Sequence, residues 1–140
     1  MAYFFYLDSD NGIVLARFTG RVTDEQFAEF HRVGARQTLA PLQFRGSIID
    51  FSEVTSFEVS AETVRAVAWE PPIDPDPSRP RVIVAPQAFV FGLCRIFAAQ
   101  GEDTRPNLHV VRSFEHAYAI LRVVELKFEP IAPSSSERAS

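Results

Sequence analysis

The chain contains too few cysteines and histidines for a cross-linked or metal-bound domain. Its 140 residues include one cysteine, Cys94, and three histidines, His31, His109 and His116. A single cysteine excludes an internal disulfide and a cysteine-based zinc site. The three histidines do not fall at metal-ligand spacing. We therefore expect neither a bound metal nor another cofactor.

Basic clusters and long apolar runs are also missing. The net charge is −4, and the arginines and lysines are scattered along the chain. Phosphate contacts need a concentrated positive face, so we expect no nucleic-acid partner. No apolar run approaches the roughly 18 residues of a membrane-spanning helix, and the N-terminus lacks the pattern of a signal peptide. These absences lead us to expect a cytoplasmic protein without a membrane span.

The sequence motifs of common enzymes are absent as well. The chain has no GxGxxG, Walker, GxSxG or HExxH motif. Cys94 is interpreted as an inert thiol, because a nucleophilic cysteine needs a base and an electropositive setting. His31 is interpreted as a packed histidine, and Asp50, Glu53 and Glu58 as solvated or capping carboxylates. We therefore expect that the protein is not an enzyme.

The composition is that of one ordinary folded domain. Hydrophobic residues make up 46% of the chain, and thirteen of them are phenylalanine, which predicts a core built on aromatic rings. The length fits a single domain, which we place at residues 1–128. Residues 129–140 contain few core-forming side chains and are predicted to be a disordered tail.

Several short signals predict an alternating order of strands and helices. Asn11-Gly12 predicts a hairpin between strands at 3–8 and 13–19, with Gly20 ending the second strand. Thr23 and Gln26 form a capping box for a helix that continues to about residue 39. Further strands are predicted at 44–51, 81–85 and 108–111, and further helices at 61–69, at 86–100 and after Ser113. This order predicts an α/β fold with a mixed sheet of about five strands and about four helices.

The most informative stretch runs from residue 48 to residue 64. A buried strand is followed by a polar loop at 53–58, and Ser60 then caps a helix. A helix start of this kind offers free amides and a positive dipole end to an anion or to a carboxylate of a partner.

This stretch and its neighbours resemble the STAS domain of bacterial anti-sigma-factor antagonists and, more closely, its divergent SpoIIAA-like relatives. The resemblance covers most of residues 2–121. It includes DFSEVT at 50–55, FEVSA at 57–61, the Ala85-Pro86 helix start and VRSFEHA at 111–117. It implies a STAS-like mixed sheet and a regulatory role without catalysis.

The resemblance also implies a phosphorylation site, at which this chain departs from the family. Typical members read Asp-Ser-Ser-Gly at the helix start, and a partner kinase phosphorylates the first serine. This chain reads Glu58-Val59-Ser60-Ala61, so Val59 replaces the phosphoacceptor and Ser60 matches the second serine. The usual phosphoserine switch is therefore predicted to be lost, with Ser60 and Ser56 as the candidate substitutes.

Two functions follow from these features. The first is a protein-interaction module that binds an unknown partner or a second copy of the chain as a homodimer. Its predicted surface comprises Asp50, Ser52, Ser56, Glu58, Val59, Ser60, Arg65, Trp69 and Phe91. Trp69 and Phe91 project away from the predicted core and are candidate interface anchors, unless they pack under the proline-rich 71–80 loop and a neighbouring helix.

The second function is a binder or carrier of a small hydrophobic, lipid-like ligand. Some SpoIIAA-like proteins resemble the CRAL-TRIO lipid carriers, and a phenylalanine-rich interior is suited to line a pocket.

Overall fold

The structure is a computed structural model that describes residues 3–131. Its centre is a six-stranded mixed sheet with the strand order β5-β4-β3-β2-β1-β6. The strands are β1 (Tyr3–Asp8), β2 (Ile13–Thr23), β3 (Gly46–Glu58), β4 (Arg81–Val84), β5 (Leu108–Val111) and β6 (Glu129–Pro130). The helices are α1 (Asp24–Glu29), a π-helical segment (Phe30–Gly34), α2 (Ala35–Leu39), α3 (Ala61–Ala68), α4 (Ala88–Gln100) and α5 (Phe114–Leu121). This arrangement confirms the predicted α/β class and is consistent with a STAS-like fold, with one strand more than predicted.

The predicted hairpin at Asn11-Gly12 is confirmed. Strands β1 and β2 pair in antiparallel fashion, and Gly12 has a φ of 68°, a conformation that favours glycine. The buried Asp8 carboxylate accepts hydrogen bonds from the backbone amides of Asn11, at 2.9 Å, and Lys127, at 2.7 Å. Burial raises the pKa of Asp8, but the hydrogen bonds outweigh it and leave the pKa below its ordinary value. The turn is thereby tied to the C-terminal segment.

Strands β2 and β3 are longer than predicted. The predicted end of β2 at Gly20 and the predicted loop at 53–58 are both wrong. Gly20 has a φ of 68° and lies at an irregularity, after which the parallel pairing continues from Arg21–Ser56 to Thr23–Glu58. A bulge bends a strand and shifts its register without ending it. The polar residues 53–58 before α3 therefore form the end of a paired strand.

The helices cover the two faces of the sheet unequally. Strands β2 to β5 run in parallel, and each successive strand lies on the same side of the previous one. Right-handed crossovers then place α1 to α4 on one face. The larger buried cluster accordingly contains Phe27, Val64 and Phe97 from these helices, whereas α5 contributes Ala117 and Leu121 to a smaller cluster on the opposite face.

Three predicted helix starts are confirmed by their capping hydrogen bonds. Thr23 and Gln26 form a reciprocal capping box, with 3.3 Å from the Gln26 amide to Thr23 Oγ1 and 3.0 Å from the Thr23 amide to Gln26 Oε1. The Ser60 hydroxyl accepts from the Thr63 amide at 3.1 Å, and Ser113 caps α5 in the same way. These bonds satisfy amides that a helix start leaves without a partner.

The π-helical segment ends at a glycine that lies against β1. Tyr3 is buried, and its hydroxyl donates a hydrogen bond to the Glu29 carboxylate. A β-carbon added at Gly34 would overlap the Tyr3 hydroxyl, lie 2.8 Å from Tyr3 Cζ and lie 3.1 Å from Glu29 Oε2. Glycine at this position therefore allows the helical segment to approach the first strand closely.

We expect Gly34→Ala to lower the free energy of unfolding by about 1–3 kcal/mol, the usual range for overpacking a core. Urea denaturation of the purified protein measures this change. Tyr3→Phe removes the overlapping oxygen, so the alanine should be less costly in a Tyr3→Phe background. Equal costs in the two backgrounds would show that the tyrosine is not the obstacle.

The C-terminal segment returns to the sheet before the described residues end. Glu129 and Pro130 pair with β1 as β6, and the Ile131 amide donates to the Phe5 carbonyl at 2.9 Å. The tail predicted to start at residue 129 therefore begins too early. The remainder of that prediction, residues 132–140, lies outside the described residues.

Candidate interaction surface

The first predicted surface residue, Asp50, lies in the interior. Its side chain has no exposed area and accepts from Arg17 Nε at 2.7 Å and from the Ser52 amide at 2.8 Å. Arg17 is about one-quarter exposed and also reaches Glu53 Oε2 at 3.2 Å. Asp50 is therefore a structural ion-pair partner rather than part of an accessible surface, and Ser52 is only partly exposed.

The end of β3 carries a second pairing between an arginine and a carboxylate, in this case at the surface. Glu58 accepts two hydrogen bonds from the Arg21 guanidinium, at 2.7 and 2.9 Å, and one from the Ser56 hydroxyl at 2.8 Å. The bonds from Arg21 and then Ser56 lower the pKa of Glu58. Both Ser56 and Glu58 are accessible, as predicted, but their polar groups are already engaged with Arg21 and with each other.

At the start of α3, Val59 and Ser60 have opposite environments. Val59 is 3% exposed and belongs to the larger core cluster, so its assignment to the interaction surface is wrong. Ser60 is exposed, and besides capping the helix its amide donates to Asp24 Oδ1 at 2.7 Å. The side chain that the predicted STAS resemblance places at the phosphoacceptor position is therefore a buried aliphatic one.

The other end of α3 presents a large exposed aromatic ring. Trp69 is 74% exposed, and its indole Nε1 donates to Gln100 Oε1 at 3.1 Å. Arg65 lies one turn earlier on the same exposed side. Trp69 thus projects to solvent as predicted and does not pack under the 71–80 loop. Its ring is oriented by a hydrogen bond to the end of α4.

On α4, the prediction assigned the wrong phenylalanine to the surface. Phe89, which is not among the predicted surface residues, is 66% exposed, whereas the predicted anchor Phe91 is half-buried. The guanidinium carbons of Arg95 and Arg112 lie 5.8 and 5.4 Å from the centre of the Phe91 ring. The ring of Phe91 is therefore largely covered by its own chain, and Phe89 is the accessible ring of this helix.

The outward side of α4 is unusually apolar for a solvent-facing helix. Arg95 and Gln100 are the polar residues in its sequence AFVFGLCRIFAAQ. Its exposed positions include Ala88, Phe89, Gly92 and Ala99, and a β-carbon at Gly92 would meet no atom within 4 Å. Four of the six exposed positions of α4 thus carry no polar side chain, whereas the solvent-facing side of a surface helix is normally polar. This property is visible in the sequence of the helix, which contains two polar residues.

We define the α3–α4 face as the exposed side of these two helices. It comprises Glu62, Arg65, Ala66, Trp69, Ala88, Phe89, Gly92, Arg95, Ala99 and Gln100. The two helices lie side by side on one face of the sheet. Trp69 is at the C-terminal end of α3, near the end of α4, and Phe89 is near the start of α4. At 1.5 Å per residue, the two exposed rings are separated by roughly 16 Å along the helices.

Groups that could carry chemistry elsewhere are buried or dispersed. Burial raises the pKa of the Cys94 thiol to about 12, which disfavours the nucleophilic thiolate at neutral pH. His31 is packed, as predicted, with Nδ1 donating to the Phe27 carbonyl at 3.0 Å. Within residues 3–131, no three His, Cys, Asp or Glu side chains are grouped so as to hold a metal ion. No helix of that region is long and apolar enough to cross a membrane.

Comparison with family models and with curated proteins found no match to this chain.

Proposed function

We propose that the protein is a non-catalytic, cytoplasmic interaction module of STAS-like character that associates through the α3–α4 face. The observation that carries the proposal is the apolar outward side of α4, flanked by the exposed ring of Trp69. Exposed aromatic rings beside small residues are typical anchors of protein interfaces. Gly92 allows another backbone to approach closely at the middle of this face.

The occupant that fits this face best is a second copy of the chain. A two-fold interface brings the same patch together twice, so the patch must be compatible with itself. Charges of both signs surround the apolar centre: Glu62 and Arg65 lie on α3, and Arg95 lies on α4. These charges can pair across a two-fold axis, whereas a face of one sign would repel its copy.

The phosphoserine switch is not part of this proposal. A phosphate on Ser60 would lie beside Asp24, whose Oδ2 is 3.4 Å from the serine hydroxyl. A phosphate on Ser56 would lie beside Glu58. Like-charge repulsion disfavours both products, although Arg21 would partly offset it at Ser56. The interaction module is therefore proposed to act without phosphorylation.

The lipid-carrier alternative has weaker support. The cavity among Phe27, Phe51 and Phe97 has a volume of about 10 Å³, and the cavity beside Arg81 has about 50 Å³. Pockets that enclose drug-sized ligands measure roughly 300–1,000 Å³. The spaces of that size in this structure, of about 410 and 530 Å³, are open grooves at the surface and not interior pockets. The aromatic rings fill the interior in this structure, so a lipid tail would require substantial opening.

We expect Trp69→Asp to weaken self-association about thirtyfold or more, the effect of losing an interface anchor worth about 2 kcal/mol. Phe89→Asp should act in the same direction. Sedimentation equilibrium gives the dissociation constants, and native mass spectrometry gives the assembly mass and reports any bound phosphate. The matched control is Val124→Asp, because Val124 is 97% exposed but lies after α5, away from this face.

The proposal of a dimer fails if the wild-type protein remains a monomer up to about 100 μM, a concentration at which even a weak dimer is populated. It also fails if Val124→Asp weakens association as much as Trp69→Asp does. Trp69 and Phe89 are mostly exposed, so we expect both variants to fold. Circular dichroism of each variant checks this.

A further inference from the structure

A second feature lies at the N-terminal ends of the parallel strands β3, β4 and β5, next to the proline-rich 71–80 segment. A cavity of about 50 Å³ is enclosed there by aromatic rings, including Phe30, Phe44 and Phe97, and by the side chains of Asp74 and Arg81. A larger open groove of about 410 Å³ shares the lining residues Leu39, Phe44, Ile73 and Asp74 with it. The groove therefore lies next to the cavity, with these four residues between them.

Arg81 is buried beside this cavity with part of its hydrogen-bonding capacity unused. Its residue exposure is 8%, and Nη2 donates to the carbonyls of Asp74 and Asp76 at 2.6 and 2.7 Å. Its Nε and Nη1 atoms are buried without a hydrogen-bond partner, as is Oδ2 of Asp74, which is 3.9 Å from Arg81 Nη2. Leaving buried charged groups unsatisfied is costly. Arg81 and Asp74, which carry these three atoms, both line the cavity, so a polar molecule bound there would be placed to supply the missing partners.

The charges around the cavity favour an anion. Arg36, Arg79, Arg81 and Arg105 line the cavity and its groove, against two carboxylates, Asp74 and Asp76. The chain as a whole carries a net charge of −4, so this is a local reversal of sign. Burial, reinforced by the neighbouring Arg81 and Arg36, lowers the pKa of Arg105 to about 10. Burial also lowers the pKa of Arg81. Arg79 already pairs with Asp74 and Asp76, at 3.6 and 3.4 Å, so an incoming negative charge would compensate the excess of two positive charges that remains among these side chains.

The two unsatisfied groups define the ligand more closely. Arg81 offers N–H donors to a carboxylate, and Asp74 Oδ2 offers an acceptor a few ångströms away. An α-amino or α-hydroxy acid carries a carboxylate and a hydrogen-bond donor on adjacent carbons. A phosphate dianion fits less well, because Asp74 would repel its second charge. Leu39, Phe44 and Ile73 would contact an apolar side chain in the groove.

We propose that this site binds a small carboxylic acid with an α-amino or α-hydroxy group and an apolar side chain, held by Arg81 at its carboxylate and by Asp74 at its donor. The site is separate from the α3–α4 face. Binding of the acid and self-association can therefore succeed or fail independently.

The test compares four probes that differ by one group: leucine, 2-hydroxy-4-methylpentanoate, 4-methylpentanoate and leucinamide. We expect leucine or its hydroxy analogue to bind, and leucinamide, which lacks the carboxylate, to bind about tenfold more weakly or worse, given the strength of charge-assisted hydrogen bonds. Isothermal titration calorimetry measures affinity. The ¹⁵N–¹H signal of Arg81 Nε should shift on binding in the wild-type protein, which reports the site without any substitution.

Two variants separate the roles of the charged groups. Arg81→Lys keeps the charge but loses the planar guanidinium, and we expect about tenfold weaker binding of every carboxylate probe. Asp74→Asn should weaken the binding of leucine while leaving that of 4-methylpentanoate unchanged or tighter, because it removes the negative charge that attracts the ammonium group and repels the carboxylate. Arg122→Gln, at the exposed end of α5 and outside both proposed sites, is the control and should change neither.

Three results would overturn the proposal. The first is no saturable binding of any probe up to about 10 mM, the range of weak small-molecule affinity, which would leave solvent as the partner of Arg81. The second is equal binding of leucine and leucinamide. The third is binding that leaves the Arg81 Nε signal in place. If Arg81→Lys does not fold, the wild-type signal and the Asp74→Asn comparison decide the question.

Discussion

Replacing Phe30 with alanine should lower the free energy of unfolding by about 3–5 kcal/mol, the range for truncating a buried phenylalanine. Phe30 is 1% exposed. Its ring centre lies 5.0 Å from that of Tyr3, 5.9 Å from Phe5 and 4.8 Å from Phe18. It is thus the point at which the π-helical segment packs onto β1 and β2.

The upper half of that range is expected, for a structural reason. The cost of a truncation is largest where the surroundings cannot collapse into the vacated space. Phe30 already lines the cavity beside Arg81, and its neighbours belong to a paired sheet. Removal of the ring would enlarge an existing void between rigid elements instead of creating one that closes.

Urea denaturation monitored by circular dichroism measures the effect, with Phe4→Ala as the matched control. Phe4 is the same residue type on the adjacent strand but is 48% exposed, so we expect it to cost less than about 1 kcal/mol. Equal costs for the two variants would contradict the placement of Phe30 at the centre of the core. Phe30→Leu should be intermediate, because it retains part of the buried volume.

The elements of this fold that depend on local interactions could be read from the sequence. Asn11-Gly12, the Thr23–Gln26 capping box and the Ser60 and Ser113 caps each place a hydrogen bond or a backbone conformation within four residues. Such signals do not depend on the rest of the chain. They sufficed for the order of strands and helices and therefore for the fold class.

The errors concern features that distant residues decide. Glu53 to Glu58 read as a polar loop, but β2 offers them a pairing partner more than thirty positions earlier in the chain. Asp50 read as a surface carboxylate, but the β2–β3 register places it opposite Arg17. The register has no local sequence signal, and Gly20 is compatible both with a bulge and with the end of a strand. Tertiary pairing overrode local polarity at both sites.

The candidate sites were accessible from sequence to different degrees. Trp69 was placed correctly because α3 has a clear apolar stripe, from which Trp69 departs. Because α4 is apolar nearly throughout, its sequence does not show which side of the helix faces the core. For this reason Phe91, and not Phe89, was predicted to be exposed. The Arg81 site could not be foreseen, because it joins residues from β4, the 71–80 segment and the loop before β5 that meet only in the folded chain.

Acidification should reveal a large contribution from His31 to the pH dependence of stability. The side chain is 4% exposed and surrounded by the rings of Phe27, Phe30 and Phe97. Burial lowers the pKa of His31 to about 4. The hydrogen bond to the Phe27 carbonyl and the charge of Glu70 oppose this decrease, whereas Arg105 and Arg36 add to it. The histidine is therefore neutral in the folded protein at neutral pH.

The sign of the effect follows from the two states of the chain. In the unfolded chain His31 should titrate near its ordinary pKa of about 6.5. Between that value and about 4, the unfolded chain binds a proton that the folded protein does not. The stability present above pH 6.5 is therefore lost progressively as the pH falls toward 4, by an amount on the order of 3 kcal/mol.

Denaturation midpoints measured in urea from about pH 7 down to about pH 4 isolate this contribution when the wild-type protein is compared with His31→Phe. Phenylalanine retains a ring among the same aromatic neighbours but cannot be protonated, so the variant should lose less stability over this range. His116→Gln changes an exposed histidine and should reproduce the wild-type profile. Parallel profiles for wild type and His31→Phe would mean that His31 is not kept neutral by burial. His31 also lines the Arg81 cavity. Parallel profiles would therefore mean that water reaches His31 through the helices around this cavity.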